Sequence, residues 1–133
     1  MKMLREVFKS QQGQALVELA LVLPILLMLL FGIIEFGRIF GAYMVITNLS
    51  REGARYGVVG HDDSQIQNLI ISGRAWLDES KFTITLSPPY TERDKGDSLG
   101  VTIDYPVDLL LPIVAEILPN PVNLSVQCLM RVE

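Results

Sequence analysis

The sequence predicts an α+β protein: a long N-terminal transmembrane helix that continues as an extracytoplasmic stalk, a second short helix, and a three-stranded antiparallel sheet. Three observations lead there. Of the 66 apolar residues in the 133-residue chain, 17 fall in the 20-residue window 15–34. Beyond that window apolar residues recur at spacings of three and four up to about Tyr56, the period of a helix with one buried face. From Phe82 onward they alternate with period two in three separate runs, the period of half-buried strands.

The apolar window comes first. At 1.5 Å per residue its 20 residues span roughly 30 Å as a helix, the thickness of a bilayer's hydrocarbon core. Residues 19–34 carry no charge, and Glu18 is the window's only charged member. Outside it the chain is only about 43% apolar, ordinary for a soluble domain. A uniformly apolar multi-span protein and a conventional soluble protein are both excluded. Pro24 removes one backbone donor and is expected to kink the helix. Lys2, Arg5 and Lys9 outnumber Glu6 in residues 1–13, which favours a cytoplasmic N-terminus and places everything after Ile34 outside the inner membrane. A secretory signal peptide would end its shorter apolar stretch at a small-residue cleavage site. Here the run passes into Glu35-Phe36-Gly37-Arg38, so a retained single-pass helix is the expectation.

The stalk follows without a break. Phe36, Ile39, Phe40, Tyr43, Val45, Ile46 and Leu49 form its apolar stripe, and a continuous helix from near Ala15 to about Tyr56 would be roughly 60 Å long. Gly37 and Gly41, and again Gly53 and Gly57, are spaced to let helices approach closely. Arg51, Glu52 and Arg55 are expected to form a solvated, mutually compensating face. Gly60 to Ser64 is turn chemistry, with Asp63 or Ser64 as N-cap of a second helix running through Ile66, Leu69, Ile70 and Trp76.

The strands come last. Phe82, Ile84 and Leu86 share one face of the first; Leu99, Val101, Ile103, Tyr105 and Val107 one face of the second; Val122, Leu124, Val126, Cys128, Met130 and Val132 one face of the third. A sheet with one apolar face needs a cover, and the stalk and second helix are the long candidates. Residues 91–97 are expected to be a solvated hairpin loop. Residues 108–121 are apolar but broken by Pro112, Pro119 and Pro121. Leu109, Leu110, Leu111, Ile113, Val114, Ile117 and Leu118 are too many to leave wet. They are expected to fold as a short helix over the sheet edge, with a contact surface as the alternative. The chain thus divides into a basic leader (1–13), a transmembrane and stalk helix (14–60) and an extracytoplasmic α+β domain (61–133).

Charge and cysteine usage exclude further classes. Residues 1–60 carry a net +2 and residues 61–133 a net −6, so the outer domain lacks the clustered cations that nucleic-acid binding needs. With one cysteine, Cys128, and one histidine, His61, no internal disulfide and no Cys/His zinc cluster can form. Cys128 lies on an alternating apolar run, which favours a small buried thiol over a nucleophile paired with His61. His61-Asp62-Asp63 is read as a capping turn with an exposed histidine rather than a metal or acid–base site. No nucleophile elbow and no phosphate loop is present. No catalysis, cofactor, metal or small-molecule substrate is expected.

Glu18 is the residue a plain anchor does not need, since a carboxylate at full membrane depth costs about 2 to 3 kcal/mol. It closes the string Gln12-Gly13-Gln14-Ala15-Leu16-Val17-Glu18 at the head of the apolar run. A glycine after a short basic leader, with a glutamate five residues later, looks like the processing site of type IV pilin-like proteins. The stretch from Gly13 through Glu35-Phe-Gly-Arg38 to Arg51-Glu-Gly-Ala-Arg-Tyr56 closely resembles the TadE/TadG-like family of minor pseudopilins in tight-adherence (Flp) pilus systems. The resemblance implies a prepilin peptidase cutting between Gly13 and Gln14, and a helix kept as both anchor and assembly stalk. It implies other pilins and the pilus assembly platform as partners, with Arg51, Glu52 and Arg55 as contact residues. Leu19 follows Glu18 where many pilins carry an aromatic residue. Two alternatives are an uncleaved TadG-like partner subunit and a single-pass anchored binding or sensor domain.

Overall fold

Helix α1 extends over 48 residues, Gln11–Val58, in a computed structural model that describes residues 11–133. The leader residues Lys2, Arg5, Glu6 and Lys9 lie outside the described residues. Contacts divide the chain into two compact units, Met1–Phe36 and Gly37–Glu133.

In the first unit α1 carries the apolar window, and it runs through Pro24 without ending there. None of its most apolar stretch is buried within the chain, and it is the one described helix long and apolar enough to cross a membrane. Leu21 and Ile25 are typical, exposing 69% and 70% of their surface. A continuous apolar surface of this size has no place in water and suits a lipid or helix-packing environment.

The second unit places α1 from Gly37 to Val58 and helix α2 (Asp63–Ser72) over one sheet. Strands β1 (Thr83–Ser87), β2 (Ser98–Val107) and β3 (Val122–Arg131) are antiparallel in the order β1-β2-β3. Ile84 lies opposite Ile103, and Val101 opposite Cys128, so the three expected apolar faces coincide. Because β2 is central, Leu99, Val101, Ile103, Tyr105 and Val107 are buried; the corresponding residues of β1 and β3 are half-buried at the edges. Ala42, Ile46, Leu49, Ala54 and Val58 of α1, with Ile66 and Ile70 of α2, complete the core.

Three contacts fix the direction of α1 over the sheet. The Arg38 guanidinium donates to the Asp108 carbonyl just past β2, at 3.4 and 3.5 Å. The buried Ser50 hydroxyl donates to the Val101 carbonyl at 2.8 Å. The Cα of Gly57 faces Leu99 so closely that a β-carbon there would lie 2.4 Å from Leu99 Cδ2. α1 therefore runs antiparallel to β2, and the β2–β3 connection lies at the Arg38 end of the helix.

The local expectations need five corrections. Of the expected α1 stripe, Phe36, Phe40 and Tyr43 are exposed, and the small Ala42 takes their place beside Ile46 and Leu49 against the sheet. The N-cap of α2 is Asp62, not Asp63 or Ser64. Its carboxylate accepts the Gln65 N–H at 2.8 Å while Gln65 Oε1 accepts the Asp62 N–H at 3.2 Å, a reciprocal capping box that the later positions cannot make. The helix stops at Ser72 and leaves Trp76 outside, because Gly73 closes it with its N–H on the Leu69 and Ile70 carbonyls. Residues 91–97 are not uniformly solvated. Tyr90–Glu92 is a turn of 3-10 helix, and Arg93 turns inward with a side chain only 3% exposed, paired with Asp63 at 2.6 Å. Finally, residues 108–121 do form a short helix, α3 (Pro112–Ala115), but it does not bury the segment. Leu109 is buried, whereas Leu110 and Ile117 are 66% and 80% exposed. The loop is pinched at its base, where the Leu109 N–H donates to Asn120 Oδ1 at 3.1 Å.

Candidate processing and assembly site

Gly13 and Gln14 lie within α1. A helical peptide bond must open before a protease can hold it in extended form. Glycine is a poor helix former, which lowers the cost of opening the helix at this position. One turn further on, the Gln14 side-chain amide donates to Glu18 Oε1 at 3.2 Å. Gln14 and Glu18 thus share one face of the helix, and Glu18 is exposed within the chain.

The four glycines do not behave as two equivalent pairs. A β-carbon at Gly37 would meet nothing within 4 Å, whereas one at Gly41 would lie 3.3 Å from the Trp76 ring. At Gly53 it would lie 2.9 Å from Ile70 Cδ1, and at Gly57 2.7 Å from Ile66 Cδ1. Gly41, Gly53 and Gly57 are consumed by packing inside the second unit. Gly37 alone of the four remains open to a partner.

Arg51, Glu52 and Arg55 are exposed, as expected for a solvated face. They do not compensate one another directly: among the described residues none of the three side chains is in an ion pair with another. They line two shallow depressions, which share Glu52 and Arg55. One, of about 310 Å³, is lined by these three residues and Met130. The other, of about 620 Å³, is lined by Glu52, Arg55, Tyr56, Val59, His61 and Leu69. Val59 was not singled out by sequence, and Tyr56 and Leu69 were read as helix and motif positions, not as site residues. The turn that brings them together closes at Gly60, whose φ of +100° only glycine adopts freely, and it folds His61 back onto Tyr56. Their rings stack at 3.5 Å, and His61 Nδ1 lies 2.9 Å from the Tyr56 carbonyl oxygen.

The His61-Asp62-Asp63 triplet is therefore dispersed, and the histidine is half-buried instead of exposed. The Ser64 hydroxyl, first, and then the Gln65 N–H donate to Asp62 and hold its carboxyl below the usual aspartate range. Asp78 is lowered in the same way by the Ser80 hydroxyl and N–H. The Asp108 carboxylate raises the Lys81 ammonium. No three His, Cys, Asp or Glu side chains among the described residues come together as a metal-holding group. Cys128 sits half-buried on the inner face of β3.

Comparison with known proteins adds one finding. Residues 13–55 match the family model described as TadE-like protein, so this segment of α1 is TadE-like, as the resemblance over Gly13 to Tyr56 implies. Searches of curated proteins and of solved structures give no significant match.

Proposed function

We propose that this chain is a minor pseudopilin of a tight-adherence pilus system, with no catalytic role of its own. It sits in the inner membrane as a single pass with a cytoplasmic N-terminus. A prepilin peptidase trims it between Gly13 and Gln14, and it joins other pilins and the assembly platform through α1. The observation that carries this reading is the TadE-like segment with its exposed apolar helix, at whose head Glu18 lies one turn from Gln14.

Cleavage gives Gln14 a new ammonium, four residues from the Glu18 carboxylate. In a bundle of such helices the carboxylate of one subunit pairs with the ammonium of its neighbour. A desolvated ion left unpaired is strongly disfavoured, so this pairing fixes the axial register of the helices. Gly37, open in the chain, and the exposed Arg51, Glu52 and Arg55 provide further contact points.

Glu18→Ala and replacement of residues 15–34 by another apolar helix are expected to abolish piliation while membrane insertion survives. Normal piliation with either variant would instead support a tethered sensor domain. Intact-mass measurement is expected to find a chain beginning at Gln14 in peptidase-positive cells. Residues 1–13 still attached there would identify an uncleaved TadG-like subunit.

A further inference from the structure

Strand β3 ends the sheet with one side unpaired, and the ladder to β2 tells which of its backbone groups point outward. The Val132 N–H reaches the Asp97 carbonyl at 2.8 Å, one step beyond the pair Ser98–Arg131. Hydrogen-bonded and non-hydrogen-bonded pairs alternate along an antiparallel ladder. The even-numbered residues of β3 therefore face β2, and Asn123, Ser125, Gln127, Leu129 and Arg131 turn their N–H and C=O groups away from it. Glu133, next in that series, shows the direction: its N–H leaves the sheet for the Val58 carbonyl of α1. Among the described residues no backbone hydrogen bond is made on that side from Asn123 to Arg131. Edge strands are ordinarily kept short, bulged, or guarded by proline or charge. β1 follows that rule, with five residues ahead of Pro88 and Pro89. β3 does not. Its ten residues pair with β2 without a bulge, none is proline, and its one charge, Arg131, folds back to Gly96, where a β-carbon would lie 3.4 Å from Arg131 Nη2.

We propose that the free edge of β3 takes up an extended segment of a partner protein as a fourth strand, with a carboxylate of that segment beside Arg51 and Arg55. The inference stands on the second unit alone and does not depend on processing at Gly13 or on assembly through the apolar helix. The inner side chains of β3, from Val122 to Met130, are half-buried because no further strand lies beside them. An added strand continues this apolar face. Its residue opposite Met130 points into the depression of about 310 Å³ that Met130 shares with Arg51, Glu52 and Arg55. Two guanidiniums against one carboxylate leave that depression positive, in a chain whose net charge is −4. Neither arginine is in an ion pair among the described residues. The complement is an acidic residue, and the edge strands of this chain do not supply one. Val122–Arg131 and Thr83–Ser87 hold no carboxylate, and a second β3 matched antiparallel to all five outward positions sets Leu124 opposite Met130. The segment that fits is extended, long enough to match 123–131, apolar on one face, and acidic near the end that lies beside Met130.

The test uses the full, isotope-labelled chain in detergent micelles and a synthetic peptide matched to 123–131. In the peptide threonine alternates with valine, beginning and ending on threonine, and the first valine is replaced by glutamate. Laid antiparallel on β3, it sets that glutamate opposite Met130. With peptide at about ten times its dissociation constant, amide hydrogen exchange is expected to slow about tenfold at Asn123, Ser125, Gln127, Leu129 and Arg131, and to stay unchanged at Leu124, Val126 and Cys128. N-methylation of the peptide's third, fifth and seventh residues, whose N–H groups face β3, is expected to abolish the protection, and N-methylation of the fourth and sixth to leave it. A peptide with lysine in place of the glutamate is expected to bind about fivefold more weakly, and Arg51→Glu combined with Arg55→Glu to reverse that order. No protection at millimolar peptide, protection at the edge of β1 instead, equal effects of the two N-methylated peptides, or equal binding of the glutamate and lysine peptides overturns the proposal. Protection of the same five amides that rises with chain concentration and needs no peptide means pairing of β3 between copies, and overturns it as well.

Discussion

Replacing Asp63 by asparagine tests whether the Arg93–Asp63 pair belongs to the interior of the second unit. The Arg93 side chain is 3% exposed and that of Asp63 31%, so the two halves of the pair are not equivalent. In Asp63→Asn the guanidinium stays buried with only the His61 and Pro88 carbonyls, at 3.3 and 3.1 Å, and the Tyr90 ring face at 5.7 Å. Its Nε already lacks a partner among the described residues. Leaving a buried charge uncompensated costs about 3 to 5 kcal/mol, which the partial exposure of Asp63 reduces to about 2 to 3 kcal/mol. Arg93→Met removes the buried charge, fills the slot with a flexible apolar side chain, and leaves Asp63 near water with the Tyr90 N–H at 3.0 Å. Its cost is about 1 to 2 kcal/mol. Urea unfolding of the full chain in detergent micelles, followed by Trp76 fluorescence, should show the asparagine variant losing about 1 to 2 M more of its midpoint than wild type. The methionine variant should lose less, and the double variant less than the sum. An Arg93→Met variant as costly as Asp63→Asn, or two variants both within about 0.5 kcal/mol of wild type, would refute the burial argument.

Two further predictions concern the glycines and acid stability. Gly57→Ala pushes a methyl into Leu99 and Ile66, both fully buried, and should cost about 1 to 3 kcal/mol. Gly37→Ala meets nothing within 4 Å and should gain up to about 1 kcal/mol from helix propensity, so equal melting temperatures for the two variants would contradict this assignment. The lowered carboxyls of Asp62 and Asp78 contribute stability that is fully present above the ordinary aspartate range and lost as pH falls through their folded-state values, below about pH 4. Stability measured against pH should therefore flatten on its acid side in Asp62→Asn and Asp78→Asn, and curves parallel to wild type would exclude the effect.

Periodicity carried most of the fold. The period-two runs coincide with the observed strands to within a residue or so because each strand has one wet face and one buried face, and register follows from that alternation. The helix stripe was legible only in part: Ile46 and Leu49 are buried as expected, whereas Phe36, Phe40 and Tyr43 are exposed. What the sequence concealed were side chains whose partners lie far along the chain. Nothing within a few residues of Arg93 says that Asp63 will take it out of solvent. Nor could Asp62 be told from Asp63 as a cap, since both have the right chemistry and only one has Gln65 at the reciprocal spacing. The glycine pairs looked alike in sequence, but Gly41, Gly53 and Gly57 were separated from Gly37 by the arrival of Trp76, Ile70 and Ile66. At the candidate site, the Gly13–Glu18 spacing is local and was readable. The depression beside Arg55 depends on a turn at Gly60 and on Leu69 of another helix, so it was not.

The glycine-lined contact between α1 and α2 also orders events in time. Only four residues, Val59 to Asp62, separate the two helices, whereas the Ser50–Val101 hydrogen bond waits for a residue 51 positions later. A chain emerging from its N-terminus can therefore set Ile66 and Ile70 against Gly53 and Gly57 before any strand has been made. The later elements then add in sequence, each strand beside the one before it, with no strand inserted between two already paired. A methyl at Gly57 would burden the earliest step of that series, and the rest of the domain would be assembled on a faulty first pair.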